Sequence, residues 1–345
     1  MNDCSKDILA YHNDKVTLPQ SERTNMRDRR DANRNRLTTR LKEKENPLPQ
    51  EFIKQGSYAM LTMVQDASND YDIDDGVYFT QKSIKGPNGG DKAARDARQM
   101  VCEVLLDDRF NKQPVVKKNC VRIFYNDGYH VDMPVYRIRE SDDDYELASG
   151  SDWVHSRAAD VEEWFNTANQ AKSPDENNGR QLRRIVRMLK KFAKSRGAWK
   201  DQIASGFAIT ILTEEKYVVN KDREDTSLRD TMRAIYNRLL WSLEVKHPVT
   251  PGAKVTKGPD DANMKFFREK LEAALKDLEV LDNSDCTREQ ALKAWDKVFG
   301  TDFFIGRYDG KEEANASENS LFLSSLITTK SEPAAVHKNG GGHFA

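Results

Sequence analysis

Apolar and polar residues alternate from Tyr129 to Ile138, where Val131, Met133 and Val135 share one face and His130, Asp132, Pro134 and Tyr136 the other. That period of two predicts a half-buried strand. Val121 to Tyr125 predicts its partner, and the tight turn Asn126-Asp127-Gly128 joins them as a hairpin. Upstream, Phe52 to Gln55 reads as a short strand, Gly56-Ser57 as a turn, Tyr58 to Val64 as a short helix and Tyr71 to Phe79 as a long strand.

Elsewhere the spacing is helical. Leu18 to Lys44 is polar, with only Met26, Leu37 and Leu41 as spaced apolar positions; it has no Gly or Pro after Pro19, and Ser21 can cap it. One long helix is expected, and its arginines at 27, 30, 34 and 40 are read as a solvated brace between two lobes rather than as phosphate ligands. Asp91 to Leu106 carries Ala94, Ala97, Val101 and Leu105 on one face, and Trp153, Val161, Trp164 and Phe165 mark a further amphipathic helix. Between them Arg137 to Gly150 is acidic and loop-like. Asn166 to Gly179 combines Pro, Gly and polar residues and is the expected lobe boundary. Beyond it come helices at Arg180 to Lys194, Ser227 to Leu243, Met264 to Leu281 and Thr287 to Phe299, the last capped by Thr287 and closed by Gly300. The expected division is a catalytic lobe over 1–165, a helical lobe over 166–327 and a disordered tail over 328–345.

The chain has 345 residues, enough for two lobes, and 55 basic against 56 acidic residues give a formal charge of -1. Net charge therefore gives no pull toward nucleic acid or membrane. No apolar run is long enough to span a bilayer and no secretory signal opens the chain, so a cytoplasmic protein is expected. Cys4, Cys102, Cys120 and Cys286 are scattered without a C-x-x-C pair, which predicts free thiols and no zinc site.

The candidate chemistry lies on the strands. Asp72 and Asp74, two residues apart, point to one face, while Tyr71, Ile73 and Asp75 point to the other. Asp132 adds a third carboxylate from the hairpin. Three carboxylates on neighbouring strands suit a divalent-metal centre for phosphoryl or nucleotidyl transfer. The Gly56-Ser57 turn opens a helix, whose first amides can receive a phosphate. Arg183, Arg184, Arg187, Lys190, Lys191 and Lys194 crowd the polar faces of the Arg180 to Lys194 helix with no acid among them. Some must face solvent, and others can balance triphosphate charge across a cleft.

Gly56-Ser57, a short helix, Asp-Ile-Asp on a strand and then His-Val-Asp-Met-Pro-Val-Tyr together resemble the polymerase-beta-type nucleotidyltransferases. Within that superfamily they resemble the bacterial cGAS/DncV-like nucleotidyltransferases (CD-NTases) of antiphage defence, and the layout resembles the HORMA-partnered clade C. The resemblance implies an α+β fold: a sheet lobe with a long N-terminal spine helix, packed against a C-terminal helical lobe across a cleft. It implies catalytic and metal-binding roles for Asp72, Asp74 and Asp132, with two Mg²⁺ ions, or Mn²⁺ in their place. Nucleotide contacts fall to Gln55, Gly56 and Ser57. Leu189 to Phe192 is similar to the family's L-K-x-W, which makes Lys190 the triphosphate lysine, and Ser205 is similar to the family's phosphate-contacting serine. Phe192 and Gly206 depart from the pattern, which leaves the base-stacking residue open, with Phe207 or a tyrosine as substitutes. The implied activity is synthesis of a cyclic oligonucleotide second messenger from ATP, such as cyclic tri-adenylate, with other NTPs as further candidate substrates. A HORMA-domain regulator and a duplex DNA activator are the implied partners; for DNA, the surfaces are Arg27, Arg30 and Arg34 and the outer face of Arg183 to Lys194. The rival readings are a template-independent enzyme adding nucleotides to RNA or protein, and a non-catalytic scaffold. No RNA-binding module with interleaved aromatic and basic residues supports the first, and the presence of all three acids opposes the second.

Overall fold

The computed structural model describes residues 2–67, 69, 71–86, 88–141 and 144–308. Its sheet is built around β2 (Asp72–Thr80), with β1 (Glu51–Gln55) antiparallel on one side. On the other side β5 (His130–Met133) and β6 (Val135–Ile138) lie end to end, both parallel to β2. They form one strand interrupted at Pro134, which has no N–H to give the ladder. The register passes through without a slip: Asp72 faces His130, Asp74 faces Asp132 and Val77 faces Val135, and Pro134 still accepts a bond from the Val77 N–H at 2.8 Å. Beyond this strand, β4 (Val121–Phe124) flanks its first half, with β3 (Val115–Val116) outside. The second half is flanked by β7 (Tyr145–Ser149) and β8 (Asp152–His155).

Two expected features change here. The acidic stretch from 137 to 150 contains β7, because cross-strand pairing to β6 orders a segment whose composition alone suggests a loop. Trp153 sits on β8, not on a helix; its indole N–H donates to the Lys92 carbonyl at 3.0 Å and Arg137 stacks over its ring. The helix begins later, as α5 (Ala158–Lys172), and runs through the first half of the expected boundary. Its end is held by the buried Asn169, which accepts from the Arg183 N–H and donates to the Gly179 carbonyl, tying two helices together where a linker was expected.

One face of the sheet is covered by α2 (Gln20–Glu43) and α4 (Ala94–Leu105). The sparse apolar positions of α2, Met26, Leu37 and Leu41, are fully buried against Ile73, Val77, Val131 and the Ala97–Val101–Leu105 face of α4. Pro19, not Ser21, stands at the N-cap, with no side-chain cap. The arginines of α2 secure it. Arg34 forks onto Asp75 on the far side of β2, and Arg40 reaches Asp107 and the Val104 carbonyl. Arg34 is therefore engaged inside the lobe rather than presented to duplex DNA.

The second core gathers α6 (Gln181–Ala193), α7 (Gly206–Lys216), α8 (Glu224–Trp241), α9 (Ala262–Asp277) and α10 (Arg288–Phe299) around Leu189, Leu212, Met232, Phe267 and Trp295. The Thr287 capping box and left-handed Gly300 bound α10 as expected. Into the same core tuck α1 (Ser5–Tyr11) and a wider helical turn, His12–Val16, through Ile8, Tyr11 and Val16, although the expected division at residue 165 counts them with the sheet lobe. Residues 309–345 include the expected tail and lie outside the described residues.

Candidate active site

The in-register pairing of β2 and β5 brings the acids together. Asp74 and Asp132 are direct neighbours, and Asp72 lies one pleat along the same face, half exposed. Burial, reinforced by Asp132 and Asp72, pushes the Asp74 carboxyl up to about 7, with Arg122 and Lys190 pulling the other way. The Gly56 turn presses against this carboxylate. Gly56 has φ +61, and a β-carbon there would come within 2.2 Å of Asp74 Oδ2, so only glycine permits the approach. Gly56→Ala is expected to cost about 1–3 kcal/mol of stability and most of the catalytic activity. A thermal melt alongside a turnover assay checks this, and an unaltered variant would show that the turn need not hold that position.

The helix after the turn, α3 (Gly56–Ala59), ends sooner than the expected Val64, and Leu61 adopts a left-handed φ of 54. From Met60 to Asp66 the chain is laid along α6. Arg183 donates to the Met60 carbonyl at 3.1 Å, Arg187 to the Leu61 carbonyl at 2.8 Å and Lys190 to Thr62 Oγ1 at 2.9 Å. Lys191 donates to the Gln65 carbonyl at 3.0 Å and Lys194 to Asp66 at 2.9 Å. These positions form one helical stripe, and the carbonyls of a non-repetitive segment need such donors. Arg184, on another face, is buried between Asp175 and Glu224. The basic helix is consequently stitched into the protein, and its partners come from elsewhere in the chain, which explains the lack of acids within it.

Lys190 is buried, and burial together with Lys194 and Arg187 lowers its pKa to about 7, with Asp74 opposing. It borders the start of α7: a β-carbon on Gly206 would lie 3.4 Å from Lys190 Cε. Ser205 caps that helix by accepting from the Ala208 N–H at 3.2 Å. A lysine, a helix N-terminus, a glycine turn and an acid cluster thus border one another, the donors and acceptors that a nucleoside triphosphate with its cations requires.

Comparison with known proteins bears on this arrangement. Residues 50–136 match the family described as cyclic GMP-AMP synthase DncV-like, nucleotidyltransferase domain. The chain carries a DncV-like nucleotidyltransferase domain. The whole fold is shared more widely. Escherichia coli MS115-1 CdnC with ATP superposes with a TM-score of 0.65 at 17% identity, over 88% of this chain and 99% of that one. Its complex with a HORMA protein gives 0.64 at 17%, over 86% and 97%. Vibrio cholerae DncV in its GTP-bound form gives 0.66 at 18%, over 86% and 95%.

Around this DncV-like domain some expected contacts fall elsewhere. The Gln55 side chain is buried behind the acids, donating to Tyr78 at 2.7 Å and accepting from Tyr136 at 3.1 Å, so it orders the stacked tyrosines rather than reaching toward a nucleotide. Phe192 lies in the helical core against Trp199, which removes it as a base-stacking residue, and Phe207 is partly buried edge-on to His247. Arg122 was missed altogether. It grips both oxygens of Asp132 at 2.7 Å and comes within 3.3 Å of Asp72. The hairpin itself carried the signal, since a turn at 126–128 sets Arg122 opposite Asp132. No helix among the described residues is long and apolar enough to cross a membrane.

Proposed function

We propose that this nucleotidyltransferase joins nucleotides from ATP into a cyclic oligonucleotide that serves as a second messenger in antiphage defence, with cyclic tri-adenylate as its product. The observation that carries the reading is the register of Asp74 on Asp132 with the Gly56 turn against Asp74. The donor chemistry suits hard divalent cations: three carboxylates share a face, and burial together with the neighbouring acids raises the pKa of Asp74, which a bound cation would offset. Asp72, Asp74 and Asp132 would hold them. When bound, two Mg²⁺ ions, or Mn²⁺, would supply Lewis-acid activation of the attacking hydroxyl and stabilisation of the leaving pyrophosphate.

The chain's own residues do the rest. The Gly56-Ser57 turn offers its backbone to the phosphates beside Asp74, Lys190 contributes positive charge from its buried position, and Ser205 presents the amide end of α7. Regulation by a HORMA-domain partner belongs to this reading and is supported by the likeness to CdnC in its HORMA complex. The test is to incubate purified protein with all four labelled NTPs and Mg²⁺ or Mn²⁺, with and without duplex DNA and without primer, and to identify products by mass. A cyclic product from ATP alone is expected. No product in these reactions, with label transferred in a parallel reaction to which RNA or protein acceptor is added, would replace the reading with a nucleotide-adding enzyme.

A further inference from the structure

Arg122 stands on β4 directly across from Asp132 on β5, so the ladder itself delivers the guanidinium to the carboxylate. Nε and one terminal nitrogen each lie 2.7 Å from an Asp132 oxygen, a bidentate fork, and the same terminal nitrogen is 3.3 Å from Asp72 Oδ1. Asp132 is nearly buried, with its side chain 10% exposed, while the arginine keeps 26%. Each oxygen that Asp132 could offer a cation thus already accepts a bond from an internal one. Among the described residues, no group of three His, Cys, Asp or Glu side chains stands ready as a metal ligand set.

We propose that Arg122 is the resident counter-ion of the acid cluster and competes with the divalent cation for Asp132, so that metal and nucleotide bind cooperatively. The inference rests on the functional reading above. A cation drawing on the Asp132 oxygens takes electron density that the fork uses, so the charge-assisted bonds of the Arg122 guanidinium weaken or open as it binds, which opposes metal binding. The phosphates of a nucleoside triphosphate give that guanidinium another anionic acceptor and remove the opposition. By linkage, nucleotide then tightens metal as much as metal tightens nucleotide.

The test is a Mn²⁺ titration followed by electron paramagnetic resonance, with and without a non-hydrolysable ATP analogue, on wild type, R122Q and R122K. Without nucleotide, R122Q should bind Mn²⁺ about tenfold tighter than wild type or more, the scale of losing charge-assisted bonds that compete for the same oxygens. R122K, which keeps the charge but not the fork, should fall between them. The analogue should tighten Mn²⁺ binding in wild type and shrink the gap to R122Q. In wild type alone, the Arg122 Nε–H resonance should move when Mg²⁺ and analogue are added together, and this holds the inference to account even if R122Q fails to fold. Equal Mn²⁺ affinity in all three proteins, or an unmoved resonance, overturns the inference and leaves the functional reading intact. Absence of a saturable Mn²⁺ site in every protein, with the analogue present, overturns both.

Discussion

Asp74→Asn is expected to reduce nucleotide transfer by roughly three orders of magnitude, the upper scale for removing a charge-stabilising group, and yet to raise the melting temperature of metal-free protein at pH 8. The two effects share a cause. Asp74 is withdrawn from water and crowded by Asp132 and Asp72, so its folded pKa rises from 3.8 to about 7. A raised carboxyl favours folding fully below its unfolded pKa, and that contribution is lost as pH climbs through the folded value. At pH 8 the ionised wild type carries the whole penalty, up to about 4 kcal/mol for a shift of this size, and asparagine escapes it. The advantage should shrink as pH falls toward 4. Melts in chelator from pH 4.5 to 8.5, beside turnover with Mg²⁺, follow both arms, and adding Asp72→Asn should extend them in the same direction. Retained turnover would remove the acids from the catalytic assignment, and a pH-independent gain would remove the electrostatic account.

Lys190→Ala is expected to weaken ATP binding about 100-fold, the cost of deleting a desolvated charge from a charged contact, and Lys191→Ala only a few-fold. Neighbours on a helix point about 100° apart, and here they are directed differently: Lys190 to Thr62 beside the start of α7, Lys191 to the Gln65 carbonyl. Lys190 has its pKa lowered to about 7, so at pH 8 it is mostly neutral, and a bound triphosphate should draw a proton onto it. Calorimetry in buffers of different ionisation enthalpy should show proton uptake in wild type and Lys191→Ala but none in Lys190→Ala. Equal affinity losses with equal proton uptake would mean that the helix acts only as a diffuse charge.

The acids were legible because strand alternation is a strict rule: once Tyr71 to Phe79 and Tyr129 to Ile138 are strands, the faces of Asp72, Asp74 and Asp132 are set. The long α2 and the capped α10 were legible for the same reason, each set by local signals. What escaped depends on partners distant in sequence. The stripe of α6 looked unbalanced because its acceptors are mostly main-chain carbonyls of residues 60–65, which composition does not display. Gln55 next to a glycine turn gave no sign of the tyrosine pair it would meet, and β7 became a strand only through β6. Ser21 is an adequate cap by type, but the N-cap falls on Pro19, two residues earlier.

The bonds from Arg183, Arg187, Lys190, Lys191 and Lys194 to residues 60–66 also decide how the molecule can breathe. They fasten the segment that leaves the Gly56 turn to the helical lobe, while β1, which enters the turn, is paired to β2 as far as Gln55 on Asp74, so the turn is anchored to both lobes. A rigid-body separation of the lobes would shear the seam between Gly56 and Asp74, where a single β-carbon already has no room. Parting of the lobes is thereby opposed at the turn itself, from the sheet side through β1 and from the α6 side through these bonds.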